Sequence, residues 1–77
     1  MKITVKVHVG RYEDTFSEDQ FPIVSKIRSS SDPVAACEKA IRSAKQSYAR
    51  FSGSPKNGLW HIGKISVLEA VMKEVVS

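Results

Sequence analysis

Asp32-Pro33 opens the stretch that most constrains this chain, the run from Asp32 to Phe51. The Asp32 carboxylate can accept from the free amides of a first helical turn. Pro33 suits the first helical position, where a missing N–H costs nothing. Val34, Cys37, Ile41, Ala44, Tyr48 and Phe51 recur at spacings of three and four, which makes one apolar stripe and a buried side. Gly53 can supply the left-handed residue that ends a helix. The spacing predicts one long helix over 32–51.

The flanking segments carry the other period. Ile3, Val5, Val7 and Val9 alternate with Lys2, Thr4, Lys6 and His8, so residues 2–9 read as a strand with one buried face. Gly10 breaks the alternation and marks a bulge before Arg11 and Tyr12. Residues 13–20 read as an acidic connection with a short extended piece around Phe16. Phe21, Ile23 and Ile27 share a parity, with Lys26 and Arg28 on the other, so 21–29 read as a second strand, antiparallel to the first. Pro22 places that end at an edge.

Beyond the helix, Ser52 to Gly58 has strong turn chemistry. Trp60, Ile62, Ile65 and Val67 then suit a third strand over 59–67, with Gly63 as a bulge. Leu68 to Ser77 fits either state. A Ser66–Glu69 capping box and a Glu69–Lys73 pair favour helix for the last turns. The expectation is an α+β domain spanning 1–77. It is a two-layer β-β-α-β sandwich, with one long helix on a small, mainly antiparallel sheet, its stripe meeting Ile3, Val5, Val7, Ile23 and Ile27.

A chain of 77 residues has little room for a deep pocket backed by a core. Hydrophobic residues at 42% and charged residues at 26% are ordinary for a folded domain. The single cysteine, Cys37, forms no internal disulfide and fits a reducing cytoplasm. No apolar run is long enough to span a bilayer, and no signal peptide is recognisable, so no membrane is expected.

Catalytic chemistry is not visible. His8 and His61 have no partner at metal-ligand spacing, so no metal and no cofactor are expected. Cys37 falls on the buried stripe, away from any base that would activate it. Glu13, Asp14, Glu18 and Asp19 form an acidic patch. It lacks a calcium-loop pattern and reads as a solvated hairpin end that can also serve as an interaction face. These residues point to a protein that is not an enzyme.

The suggestive surface is cationic, in keeping with a net charge of +4. Lys39, Arg42, Gln46 and Arg50 fall opposite the helix stripe with Lys45 at its margin, and Lys56 and Lys64 extend the surface. Such a face can meet a carboxylate-rich protein or follow a phosphate backbone. An ordinary solvated face with a Glu38–Arg42 pair accounts for the same residues. Trp60 is either a binding anchor or, the preferred role, the residue that closes one end of the core.

The segment Ser31-Asp32-Pro33-x-Ala35-Ala36-x-x-Lys39-Ala40, set between β stretches, resembles the corresponding part of some small phage-encoded anti-CRISPR proteins. Those are compact α+β proteins that inhibit bacterial CRISPR effector complexes by binding them. The resemblance covers Ser31 to Ala40 and the order of elements, and it carries over no functional residue. It implies an inhibitor or adaptor in the host cytoplasm whose partner is a protein, such as a large ribonucleoprotein complex. The β-β-α order with a basic helix is also similar to fragments of double-stranded-RNA-binding domains. The lysine-rich helix start that grips phosphates in that family is missing here. Nucleic-acid binding through the helix face is therefore the second expectation.

Overall fold

Val9 and Tyr12 pair across the two-residue turn Gly10-Arg11, and from that turn the chain zips into a hairpin. Gly10 takes a φ of +60°, the only positive φ among the described residues. A glycine at the first turn position followed by an ordinary residue is the type II′ pattern, whose twist matches that of paired strands. The computed structural model describes residues 2–77; its strands are β1 (Thr4–Val9) and β2 (Tyr12–Ser17), antiparallel, with Val7 opposite Asp14 and Val5 opposite Phe16. Gly10 is thus a turn and not a bulge. The segment expected as an acidic connection is the second strand, and its extended piece at Phe16 is part of that strand.

A capping box closes β2. The Ser17 hydroxyl accepts from the Asp19 amide at 3.2 Å, and the Gln20 side chain accepts from the Ser17 amide at 2.7 Å. A single 3-10 turn, Glu18–Gln20, leads into α1 (Ile23–Arg28). The strand expected over 21–29 is therefore a helix. Phe21, Val24 and Ile27, at a spacing of three, are the residues buried from this segment, whereas Ile23 is only half-buried. The parity that suggested a strand gave way to a helical face once there was a core to cover.

α2 (Pro33–Arg50) matches its sequence reading closely. Asp32 caps it by accepting from the Ala35 amide at 3.1 Å, and Pro33 is the first helical residue. Cys37 and Ala44 are buried on the stripe. The helix closes on an extended Phe51 (φ −72°, ψ 131°), so Gly53 does not provide a left-handed cap.

The third strand is absent: residues 59–67 belong to α3 (Pro55–Val76), which also settles the C-terminal stretch as helix. Ser54 caps α3 by accepting from the Asn57 amide at 3.4 Å, with Pro55 at the first position. α3 is the centre of the molecule. The hairpin lies on one side of it, α2 on another, and α1 bridges α2 and α3. A helix enclosed this way is apolar around much of its circumference instead of along one stripe. Gly58, Leu59, Gly63, Val67, Leu68 and Val71 are its buried residues.

The architecture is α+β, a two-stranded antiparallel sheet with helices, in the order β-β-α-α-α. Two long helices replace the single one expected, and the α2 stripe packs chiefly on α3 and α1. Val5, Val7 and Val9 of β1 pack against the same core from the other side of α3.

Two glycines of α3 meet different neighbours. A Cβ at Gly63 would lie 2.6 Å from Cγ and Cε2 of Phe16 and closer still to Cδ2. That ring is buried and packed at a tilt beside Phe21, with 6.2 Å between centroids, so it has little room to swing aside. A Cβ at Gly58 would meet Phe51 at 3.5 Å, an ordinary contact. Gly63→Ala should therefore lose about 1–3 kcal/mol to overpacking, more than helix propensity returns. Gly58→Ala should be neutral or gain up to about 1 kcal/mol. Urea denaturation of both variants should show midpoints moving in these different directions.

Candidate functional site

The four residues of the acidic patch have different surroundings. Glu13 and Asp14 are neighbours on β2 and so point to opposite faces of the hairpin. Glu13 pairs with Lys6 at 2.6 Å, Asp14 accepts from the Thr15 amide at 2.8 Å, and Asp19 pairs with Lys2. Glu18 is 8% exposed and is a structural residue. One of its oxygens accepts from the Ile3 amide at 2.8 Å and the other from Arg28. Glu13, Asp14 and Asp19 stay exposed, each with its own local partner, and only Glu18 is buried.

Arg28 connects that network to the far end of the chain. Its Nε and a terminal nitrogen donate to Glu74 at 2.8 and 2.9 Å, a two-point clamp on the last turns of α3. The hydrogen bonds that Arg28 donates to Glu74 and Glu18 raise the guanidinium pKa, and the bond to Glu74 holds that carboxyl below its ordinary value.

Of the cations expected to form one face, four border two different grooves, and Arg50 and Lys56 border neither. Lys39, Arg42, Gln46 and Arg50 are all exposed on α2. Arg42 and Lys45 border a groove between α2 and α3 that also holds Glu38, Glu69 and Met72. Lys45 approaches Glu69 at 3.9 Å, so this side carries charges of both signs. Lys39 borders the opposite groove, between α1 and α2, together with Lys26 and Lys64. Lys56 lies on the first turn of α3 and is exposed.

Trp60 is 46% exposed and sits on α3, its ring 5.6 Å from that of Phe21 and with the Lys64 ammonium 5.4 Å from its centroid. It both covers the buried Phe21 and remains open to a partner. His61, expected on a strand, is half-buried on α3 between Phe51 and Tyr48, at 4.8 and 6.0 Å between centroids. Sequence reasoning missed Lys26, because a strand reading put it on an outer face away from Lys39. The helical spacing of Phe21, Val24 and Ile27 was the available signal.

Cys37 is fully buried and its thiol donates to the Leu68 carbonyl at 3.3 Å. Burial pushes its pKa up, so the thiolate is disfavoured. Among the described residues no cluster of three or more His, Cys, Asp or Glu side chains could hold a metal ion. No helix among them is long and apolar enough to cross a membrane. No family model matches the chain, and no curated protein or solved structure is significantly similar to it.

Ion pairing leaves a simple residue of charge. Lys2, Lys6, Arg28 and Lys45 are within reach of carboxylates, whereas Arg11, Lys26, Lys39, Arg42, Arg50, Lys56, Lys64 and Lys73 make no ion pair among the described residues. Because the folded-state pKa of Glu74 is depressed, its contribution is present above the ordinary carboxylate range and is lost as pH falls through the folded value. Glu74→Gln should be less stable than the parent at neutral pH. In urea titrations across pH, that gap should close on acidification below the ordinary carboxylate range.

Proposed function

We propose that this chain is a non-enzymatic binding protein whose partner is an acidic protein surface. The observation that supports this most is the uneven use of charge. Most of the carboxylates are engaged by cations or backbone amides of the same chain, and eight of the twelve lysines and arginines make no ion pair among the described residues. A surface of this kind steers and orients an oppositely charged protein. The half-exposed Trp60 adds an aromatic anchor of the type that concentrates binding energy. The narrower reading is a phage or mobile-element inhibitor or adaptor of the anti-CRISPR type, acting in the host cytoplasm on a large ribonucleoprotein complex. It rests on the Ser31–Ala40 resemblance.

Nucleic-acid binding is the rival. Lys39, Arg42, Lys45 and Arg50 offer about four phosphate contacts, so a fourfold rise in salt should weaken duplex binding by about a hundredfold. Titrations with duplex DNA, duplex RNA and single strands across salt should show weak binding that disappears at physiological ionic strength. In parallel, zero-length carboxylate-to-amine cross-linking in bacterial lysate should yield a protein adduct through these lysines. Tight nucleic-acid binding at physiological salt, abolished by Arg42→Glu, would put the rival first.

A further inference from the structure

The groove between α1 and α2 is lined by cations with no carboxylate among them, unlike the other charged grooves described. The hollow beside Glu18 and Arg28 also holds Lys2 and Asp19, and its charges neutralise one another. The groove between α2 and α3 mixes Arg42, Lys45 and Lys73 with Glu38 and Glu69. The α1/α2 groove, of about 430 Å³, contains no carboxylate at all. Its floor is aliphatic: Ile23 and Ile27 from α1, Ala36 and Ala40 from α2. Its rim is three lysines, one from each helix: Lys26, Lys39 and Lys64. None of the three makes an ion pair among the described residues.

We infer that this groove is the docking site for an acidic amphipathic helix of a protein partner. The inference rests on the protein-binding reading above and gives that reading a location and a ligand class. An amphipathic helix presents apolar anchors at spacings of three and four, flanked on both sides by polar residues. Ala36 and Ala40, one turn apart on α2, let a helix backbone come close while its aliphatic anchors reach Ile23 and Ile27. Glutamates beside those anchors then meet Lys26 on one bank, Lys39 on the other and Lys64 from α3. The hydroxyls of Ser30 and Ser43 border the same groove and can donate to the same carboxylates.

The composition favours a protein helix over nucleic acid. Within the groove no aromatic ring is available for a base to stack on and no arginine fork for a phosphate. It also argues against a second copy of the chain. Seven of the eight carboxylates are already engaged with cations or backbone amides, Glu38 being the exception, so a copy has no acidic face to offer.

The test uses the full chain and a synthetic amphipathic peptide carrying a leucine stripe flanked by glutamates. Two control peptides replace the glutamates by lysine or the leucines by serine. Amide shifts from NMR titration should move at Ile23, Lys26, Ala36, Ala40 and Lys64, with neither control peptide producing them. Lys26→Glu and Lys39→Glu, both at exposed positions whose thermal melts should match the parent, should each weaken binding about tenfold. Lys6→Gln, on the hairpin, should leave it unchanged. Shifts mapping to the α2/α3 groove, with affinity indifferent to Lys26→Glu, would overturn this location and leave the protein-binding reading intact. Absence of peptide binding would also overturn it. Absence of peptide binding together with tight binding of duplex or single-stranded RNA at physiological salt would overturn both readings.

Discussion

The ring of Phe16 lies directly on the backbone of α3 at Gly63, and the arrangement of the whole molecule depends on that contact. A two-stranded hairpin on its own is at best marginally stable in water. Phe16 is the one fully covered residue of the hairpin, and it is covered because Gly63 has no side chain. With the hairpin seated, β1 brings Val5, Val7 and Val9 against the core from one side of α3. α2 and α1 then close the other sides around Val67, Leu68 and Val71. The glycine costs α3 some helical propensity, and the close approach it allows is the compensation.

A second constraint governs the exterior. The ends of the chain are tied by Arg28, which holds Glu18 beside the start of β1 and Glu74 near the end of α3. Glu13, Asp19 and Asp32 are likewise engaged, by Lys6, by Lys2 and as the cap of α2. Fold stability and surface character are therefore linked through one allocation of charge. Carboxylates spent on holding the chain together leave the helical side of the molecule cationic. The exposed lysines and arginines owe their availability to where the acids went.

How much of this was legible in the sequence follows from how each segment is covered. α2 was readable because it is covered on one side, so its burial has a single helical stripe and its caps are strong. β1 was readable for the matching reason in period two. α3 was not, because it is covered from several sides. Its apolar residues lose the stripe, its two glycines resemble turn and bulge signals, and Trp60, Ile62, Ile65 and Val67 resemble strand residues. A local signal was nonetheless present: Ser54-Pro55 is the same start pattern as Asp32-Pro33, and it was outweighed by Asn57-Gly58. Likewise Ser17-x-x-Gln20 announces the capping box that ends β2. The candidate surface was legible on α2 alone, through Lys39, Arg42 and Arg50. Lys26 and its groove depend on α1, which exists as a helix only because α2 and α3 give Val24 and Ile27 a core to enter.

Native-state hydrogen exchange tests the central place of α3 most directly. Amides of α3 from Gly63 to Val71 should exchange only through global unfolding, slower than or equal to any in α2, with the paired amides of β1 and β2 close behind. Exchange of those α3 amides through local opening, while α2 stays protected, would contradict a structure built around α3.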